Sequence, residues 1–145
     1  MNWKSPVDRR FDTCMGLDEE QFQRMQSRVR GVVVADLVYE ATLDLVRGTR
    51  PEEGTMSAEL KNMVQWGAGP RATISLLMAA KARALLNRRC HATTEDLIAV
   101  AQPVLRHRII LTFNAEAAGV DADAGLSRIM DETPSLKQAK SAAGQ

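Results

Sequence analysis

Apolar residues recur at helical spacing through the middle of the chain. Val38, Ala41 and Leu45 lie three and four positions apart, which places them on one face of a helix. That helix is predicted to stop near Gly48, ahead of a loop that begins at Pro51. The pattern is typical of an amphipathic helix with one side packed against a core.

Polar residues that cap helices precede two more periodic segments. Asp18 is followed three residues later by Gln21, a capping box that predicts a helix ending at Gly31. The run Thr93-Thr94-Glu95-Asp96 is a second capping signature, and the helix that follows it should bend or end at Pro103. A last short helix is predicted from about residue 121 to residue 131, with its inward positions at Leu126, Ile129 and Met130.

The longest predicted helix begins after a sharp break in the chain. Pro70 suits its first position, where the missing N–H costs nothing. The expected core face carries Ile74, Leu77, Met78 and Leu85, whereas Leu76 and Leu86 fall off that face. Alanine fills much of the rest, which permits close approach of neighbouring helices. We therefore expect this helix to be covered on more than one side.

The remaining segments set the domain organisation. Residues 1–16 show no period and are predicted to be a poorly ordered leader, residues 17–132 a helical domain, and residues 133–145 a disordered tail. Residues 32–34 fit either a short strand or a buried connection, and residues 57–66 are ambiguous. The prediction is an all-α fold, a small bundle of about five helices that leaves room for minor short strands.

Composition fits this class and excludes others. The 145 residues are 45% hydrophobic but only 4% aromatic, so the core must come from aliphatic side chains and Ala. Lys and Arg total 19 against 18 Asp and Glu, a balance with no global attraction to nucleic acid or membranes. Cys14 and Cys90 form no CxxC pair and are interpreted as reduced thiols. No signal peptide or spanning segment is present, so we expect a cytoplasmic protein without a membrane partner.

The candidate chemistry lies in Gly67-Ala68-Gly69-Pro70-Arg71-Ala72. Glycines let the backbone approach a ligand closely, and the open N-terminus of a helix attracts anions. An arginine at this end suits phosphate oxygens. The alternative is an ordinary helix start whose arginine pairs with a nearby carboxylate. Both interpretations are compatible with the spacing.

Other polar residues give weaker hypotheses. Cys90, His91, His107 and Cys14 could be drawn as a metal site, but adjacent ligands without a second spaced pair are poor zinc geometry, and we predict no metal site. Trp3 and Trp66 are predicted to be packing residues, although Trp66 beside the glycines could lie near an adenine. Nothing indicates a catalytic serine.

Several motifs in order resemble those of one family. Gly67-Ala68-Gly69-Pro70-Arg71-Ala72 resembles the GaSPRA motif that opens the sensor 2 helix of MoxR-type AAA+ ATPases, with Gly69 where the family has Ser. His91 to Leu97 is similar to the family's V-T-P-E-D-V turn, with Thr94 in place of Pro. Residues 103–108 match P-V-L-R-H-R, and residues 114–120 resemble E-A-E-A-E-G-V. The resemblance covers about residues 18–132.

The resemblance implies a helical lid that packs over ATP and Mg²⁺ held by an AAA+ core domain. Gly67, Ala68, Gly69, Pro70 and Arg71 would then line the nucleotide, and Arg71 would reach the γ-phosphate as the sensor 2 arginine. The family is described as forming homo-oligomeric, commonly hexameric rings with chaperone-like activity. Its members often work with proteins that contain von Willebrand A domains.

The sequence also limits this hypothesis. These residues contain no GxxxxGK[ST] phosphate loop and no Walker B segment, so we expect no hydrolysis and only weak nucleotide affinity from this chain alone. The alternative function is a free-standing helical protein-interaction module. A nucleic-acid-binding domain is a third hypothesis, which the charge balance disfavours; it would use Arg83, Arg88, Arg89, Arg106 and Arg108.

The role of the segment Arg106-His107-Arg108 stays open at this point. One interpretation is that its cations face the core domain or a neighbouring subunit. The other is that Arg106 and Arg108 pair with carboxylates of the lid itself, such as Glu116.

Overall fold

The computed structural model describes Gly16, residues 18–53 and residues 56–143, with side chains described as far as residue 138. The all-α class is confirmed, and minor strands are present. The predicted leader, including Trp3 and Cys14, lies outside the described residues apart from Gly16. In chain order the elements are α1 (Glu19–Gly31), β1 (Val33–Val34), α2 (Asp36–Gly48), α3 (Ala58–Met63), β2 (Val64–Trp66), α4 (Arg71–Leu86), β3 (His91–Ala92), α5 (Thr94–Leu105), β4 (Ile110–Leu111), α6 (Phe113–Ala117), α7 (Ala122–Glu132) and α8 (Pro134–Ala143).

Helix α1 belongs to one compact unit and the chain from Val32 onward to another. This division differs from the predicted domain boundary at residue 17. The capping box of α1 is confirmed, because Asp18 Oδ1 accepts a hydrogen bond from Gln21 N at 2.7 Å and Gln21 Oε1 accepts one from Asp18 N at 3.1 Å. Phe22 and Met25 follow the predicted helical spacing, and about half of each side chain is exposed.

The core of the second unit is built from leucines on four helices. Leu45 of α2, Leu76 of α4, Leu97 of α5 and Leu126 of α7 are fully buried in one continuous cluster. Aliphatic side chains make up most of this cluster, so each helix is held by its neighbours rather than by intrinsic propensity alone. The predicted inward positions of α7, which are Leu126, Ile129 and Met130, are confirmed as buried.

The expected core face of α4 was wrong in part, since Leu77 is buried as predicted but other members of that face are not. Ile74 is 65% exposed and Leu85 36% exposed, whereas Leu76, predicted to lie off the face, is completely buried. The buried side of α4 instead carries three alanines beside its leucines, because Ala72, Ala80 and Ala84 are fully buried. Small side chains let the neighbouring α5 approach closely, so the packed face follows the alanines rather than the largest apolar residues.

Short strands tie distant segments together. Strand β1 pairs in parallel with β3, and β2 pairs antiparallel with β4. In the second pair Val64 lies opposite Leu111 and Trp66 opposite Ile110, with an irregularity between the two positions. The segment leading into α4 is therefore hydrogen-bonded to the chain that follows α5.

The capping box that begins α5 is confirmed and holds a buried charge. Thr93 caps the helix, and Asp96, which is 1% exposed, accepts a hydrogen bond from Thr93 N at 3.0 Å. Arg89 donates to both Asp96 carboxylate oxygens, at 2.7 and 2.8 Å. Burial alone would raise the pKa of Asp96, but the hydrogen bonds from Arg89 and Thr93 outweigh it and hold that pKa below its ordinary value. The same contact raises the pKa of Arg89.

The predicted disordered tail requires correction over residues 134–143, which form helix α8. Pro134 occupies the first helical position, and Leu136 is fully buried in the main core cluster. The composition of Ser, Lys, Gln and Ala suggested disorder because only one large apolar residue enters the core. Within the described residues, every helix is too short or too polar to cross a membrane.

Replacing Leu136 with Ala should lower the free energy of unfolding by about 3 kcal/mol, because it removes a fully buried side chain from the core. Denaturant unfolding of the purified chain measures this change. Leu86→Ala is the matched control: Leu86 is 82% exposed, so its truncation should cost less than about 0.5 kcal/mol. Equal effects of the two substitutions would contradict the packing of α8.

Replacing Asp96 with Asn should destabilise the chain by about 2 kcal/mol at neutral pH, because charged hydrogen bonds from Arg89 and Thr93 are lost. The folded-state pKa of Asp96 is depressed, so its stabilisation is present above the unfolded-state pKa and is lost as the pH falls through the folded value. The difference between variant and wild type should therefore shrink below about pH 4. Unfolding curves across this range test it, with Glu95→Gln as an exposed control; a pH-independent difference would refute the interpretation.

Candidate functional site

The Gly-rich turn connects strand β2 to helix α4 and packs directly against the end of helix α2. A Cβ atom placed on Gly67 would lie 2.4 Å from the carbonyl oxygen of Thr49 and 2.9 Å from Cα of Arg50. Both of these are backbone atoms, which cannot rotate away. Only glycine permits this approach of the two chain segments, so Gly67 is required by packing whether or not it also approaches a ligand.

Thr49 and Arg50 hold the backbone of the turn, and sequence reasoning missed both residues. The buried Thr49 hydroxyl donates to Val46 O at 2.7 Å and accepts from Ala68 N at 2.9 Å. Arg50 Nε donates to Ala68 O at 3.0 Å, while its guanidinium pairs with Glu53 at 2.9 Å. Both backbone polar groups of the fully buried Ala68 are thus used inside the domain. The only feature of the sequence that could have indicated this role is that Thr49 and Arg50 are polar and directly follow the predicted helix end at Gly48.

Several backbone donors at the start of α4 are used within the domain. Pro70 has no N–H and adopts helical geometry with φ of −58°. Ala72 N donates to Gly69 O at 2.9 Å, and Thr73 N donates to Pro70 O at 3.1 Å. Of the predicted nucleotide-binding residues, Ala68 is therefore buried and internally bonded, and Gly69 and Pro70 are exposed. The group best able to bind phosphate at this end is the Arg71 side chain.

Arg71 is exposed at the first position of α4. Within the described part of the chain, its guanidinium has no carboxylate or other hydrogen-bonding partner. The alternative interpretation, pairing with a local carboxylate, is therefore absent from the described residues. Arg71 stands at a rigid turn with its charge unmatched, which leaves it available to an anion from outside the chain.

A groove of about 600 Å³ runs beside the turn. Trp66, predicted to be a packing residue, is 66% exposed on the wall of this groove, which corrects that expectation. In a regular strand Trp66 would share a face with the buried Val64, but the β2–β4 pairing is irregular between these two residues, and Trp66 is left exposed. The lining residues are Arg50, Pro51, Glu52, Glu53, Val64, Gln65, Trp66, Gly67, Ala68, Gly69 and Pro70.

The other basic residues considered in the sequence analysis make contacts away from the Gly-rich turn. Arg106 Nε is 3.4 Å from Asp123 Oδ1, so it pairs with a carboxylate of the same domain, although Asp123 takes the place of the expected Glu116. Arg108 donates to the Ser75 hydroxyl of α4 at 3.1 Å, and His107 is exposed. Of the arginines considered for nucleic acid, Arg83 and Arg89 both face Asp96.

Metal-binding side chains are not gathered in the described residues. No group of three or more His, Cys, Asp or Glu side chains able to hold an ion occurs in that part of the chain. Cys90 and His91 are both exposed, and Cys14 lies outside the described residues.

Comparisons with known proteins point to one family. Residues 56–129 match the family model of the AAA lid domain. The chain is 30% identical over 133 residues to the chaperone MoxR1 of Mycobacterium tuberculosis, covering 86% of this chain and 35% of that protein. It is 32% identical over 112 residues to the protein YeaC of Bacillus subtilis, covering 77% of this chain and 32% of that protein. The chain thus spans about a third of the length of these relatives.

A solved structure supports the same fold. The crystal structure of a protein assigned as an ATPase from Cytophaga hutchinsonii superposes with a TM-score of 0.71 at 24% identity. The similarity covers 91% of this chain and 44% of that protein. At this identity the match establishes the shared fold alone.

Replacing Gly67 with Ala should destabilise the domain by about 3 kcal/mol, because its methyl group would collide with the backbone of Thr49. The matched control is Gly69→Ala, where a Cβ would meet no atom within 4 Å; that substitution should change stability by less than about 1 kcal/mol. Thermal or denaturant unfolding of the two variants provides the comparison. A stable Gly67→Ala variant would show that the two backbones are further apart.

Proposed function

Because the chain belongs to the AAA lid domain family, as the lid of a MoxR-type AAA+ ATPase, we propose that it closes over a nucleotide held by the core domain of that ATPase. In this proposal Arg71 contacts the γ-phosphate as the sensor 2 arginine. The observation that carries the proposal is the exposed guanidinium of Arg71, which has no partner among the described residues and is fixed at the end of a packed turn.

Different residues around the turn suit the two parts of a nucleoside triphosphate, its phosphates and its base. A guanidinium suits phosphate oxygens because it offers planar paired donors and a permanent charge. The groove wall instead carries Glu52 and Glu53, which would repel phosphate, together with the exposed ring of Trp66. An aromatic face can stack on a purine. We therefore place the base at the groove and the phosphates toward Arg71.

The chain's own contribution to hydrolysis is electrostatic. As negative charge redistributes over the γ-phosphate oxygens during phosphoryl transfer, the Arg71 guanidinium stabilises it. ATP with Mg²⁺, bound by the core domain, supplies the transferred phosphoryl group and most of the neutralising charge. The close packing of Gly67 on Thr49 keeps Arg71 from shifting independently of the domain, so contact with phosphate couples to movement of the whole lid.

The wider setting of the proposal follows from the relatives. Ring-shaped homo-oligomers, chaperone-like remodelling and partner proteins with von Willebrand A domains belong to the hypothesis for the full-length ATPase. One relative is named a chaperone, which supports this direction. The arginine site can be tested without knowing the client protein.

In the full-length ATPase, Arg71→Ala should lower kcat for ATP hydrolysis at least about a hundredfold, because a charge that stabilises the transition state is lost. Its unfolding midpoint should stay at the wild-type value, since the side chain is exposed. Steady-state phosphate release measures the first quantity and thermal unfolding the second.

The matched control is Arg83→Ala, which removes the same charge from the same helix about 18 Å further along. Arg83 already faces Asp96 and is half-exposed, so we expect near wild-type hydrolysis. Full activity of the Arg71→Ala enzyme would overturn the sensor 2 assignment. Equal losses in both variants would indicate a general effect of charge on the lid.

A further inference from the structure

Arg108 stands apart from the arginines that this domain neutralises internally. Arg89 lies 2.7 Å from an oxygen of Asp96, Arg106 lies 3.4 Å from Asp123, and Arg128 lies 3.2 Å from Glu59. Arg108 has no carboxylate within ion-pair distance among the described residues. Its one hydrogen bond there goes to a neutral hydroxyl, that of Ser75.

Ser75 places Arg108 beside Arg71. The Ser75 hydroxyl donates to the backbone oxygen of Arg71 at 3.1 Å and accepts from Arg108 Nη2 at 3.1 Å. Residues four positions apart on a helix face the same side, separated by one turn. The guanidinium of Arg108 therefore rests on the face of α4 that begins with Arg71, and two unmatched cations share that face.

The Arg108 side chain also has one hydrogen-bond donor that is not used within the described part of the chain. Its Nε atom is buried and has no hydrogen-bonding partner among the described residues. Two residues later, Ile110 lies opposite Trp66 in the β2–β4 pair, so the segment carrying Arg108 is bonded to the strand that enters the Gly-rich turn. A buried N–H without an acceptor is unfavourable, so the hydrogen-bonding capacity of Arg108 is incompletely used within the described residues.

We propose that Arg108 is a second phosphate-binding side chain, which acts with Arg71 on the terminal phosphates of a nucleoside triphosphate. This inference rests on the proposed lid function, because it uses the same end of α4. A triphosphate carries several negative charges on adjacent groups, so two arginine side chains at the same end of α4 match it better than one. The alternative ligand, a single carboxylate on a neighbouring protein surface, would need only one of the two arginines.

The direct test is an NMR titration of the 145-residue chain with inorganic tripolyphosphate at low ionic strength. The Nε–H signals of Arg71 and Arg108 should both move, and both should follow one dissociation constant, because one anion contacts both side chains. Arg108→Ala should weaken binding about tenfold, the effect of one lost charged hydrogen bond. Arg108→Lys should fall between, since it keeps the charge but loses the paired donors.

Arg106→Ala is the control, because Arg106 belongs to the same motif yet already faces Asp123; its affinity for tripolyphosphate should match that of wild type. An Arg108 signal that stays fixed up to millimolar tripolyphosphate would overturn the inference, including the case in which only Arg71 responds. A carboxylate-bearing partner would give this fixed signal together with reduced hydrolysis in the full-length Arg108→Ala enzyme.

The two proposals fail separately. If both signals move but full-length Arg71→Ala retains hydrolysis, the anion site stands and the sensor 2 role does not. If Arg71→Ala abolishes hydrolysis while Arg108 neither responds nor affects tripolyphosphate affinity, the lid function stands with a single arginine.

Discussion

The candidate site depends on the close approach of two backbones, where the Gly-rich turn before α4 packs on the end of α2. Gly67 has room for no side chain because the carbonyl of Thr49 lies where a Cβ would stand. The Thr49 hydroxyl and the Arg50 guanidinium then bond both backbone groups of Ala68. With these three contacts in place, the direction of α4 and the position of Arg71 are determined by the core rather than by the exposed loop.

This constraint changes how the glycine motif should be interpreted. A glycine-rich turn before a helix is commonly read as a cradle whose N–H groups bind phosphate. Here Ala68 N is bonded to Thr49 and Ala72 N to Gly69 O, so two of the five N–H groups in residues 67–72 are used within the domain. In the proposed function, the packed turn fixes the position of the Arg71 side chain at the start of α4. Such a fixed position suits a lid, because a lid must bring a charge to a ligand that another domain holds.

Local signals in the sequence predicted the longer helices α1, α2, α4, α5 and α7, whereas α3, α6 and α8 and the features that depend on distant residues were less accessible. The capping boxes at Asp18 and Thr93 involve atoms three residues apart, so the sequence specifies them directly. The buried face of α4 depends on what packs against it, and the close neighbour α5 selects the alanine side. Helix α8 was missed because its contacts, the buried Leu136 and the hydrogen bond from Ser135 to Asp44 of α2, are made with segments distant in the sequence. For the site, the motif singled out Arg71 as a candidate, whereas Thr49 and Arg50 act across about 18 residues of intervening chain, beyond any local pattern.

The near-zero net charge of the chain conceals an uneven distribution. Nineteen basic residues nearly balance eighteen acidic ones, yet the balance is achieved by specific pairs such as Arg89 with Asp96 and Arg106 with Asp123. The charge balance predicted no global attraction to nucleic acid or membranes, but a net charge averages over these pairs and does not describe local charge. The first turn of α4 carries an excess of positive charge that the net charge does not show. Arg71 and Arg108 face no carboxylate in the described chain, and Ser75 is hydrogen-bonded to both residues. The stability of the fold does not account for leaving these two arginines unpaired, because a surface carboxylate beside them would change the free energy of unfolding only slightly. In the proposed function, their partner is the phosphate of a nucleotide held by another domain, so the charges of the lid are completed only in that complex.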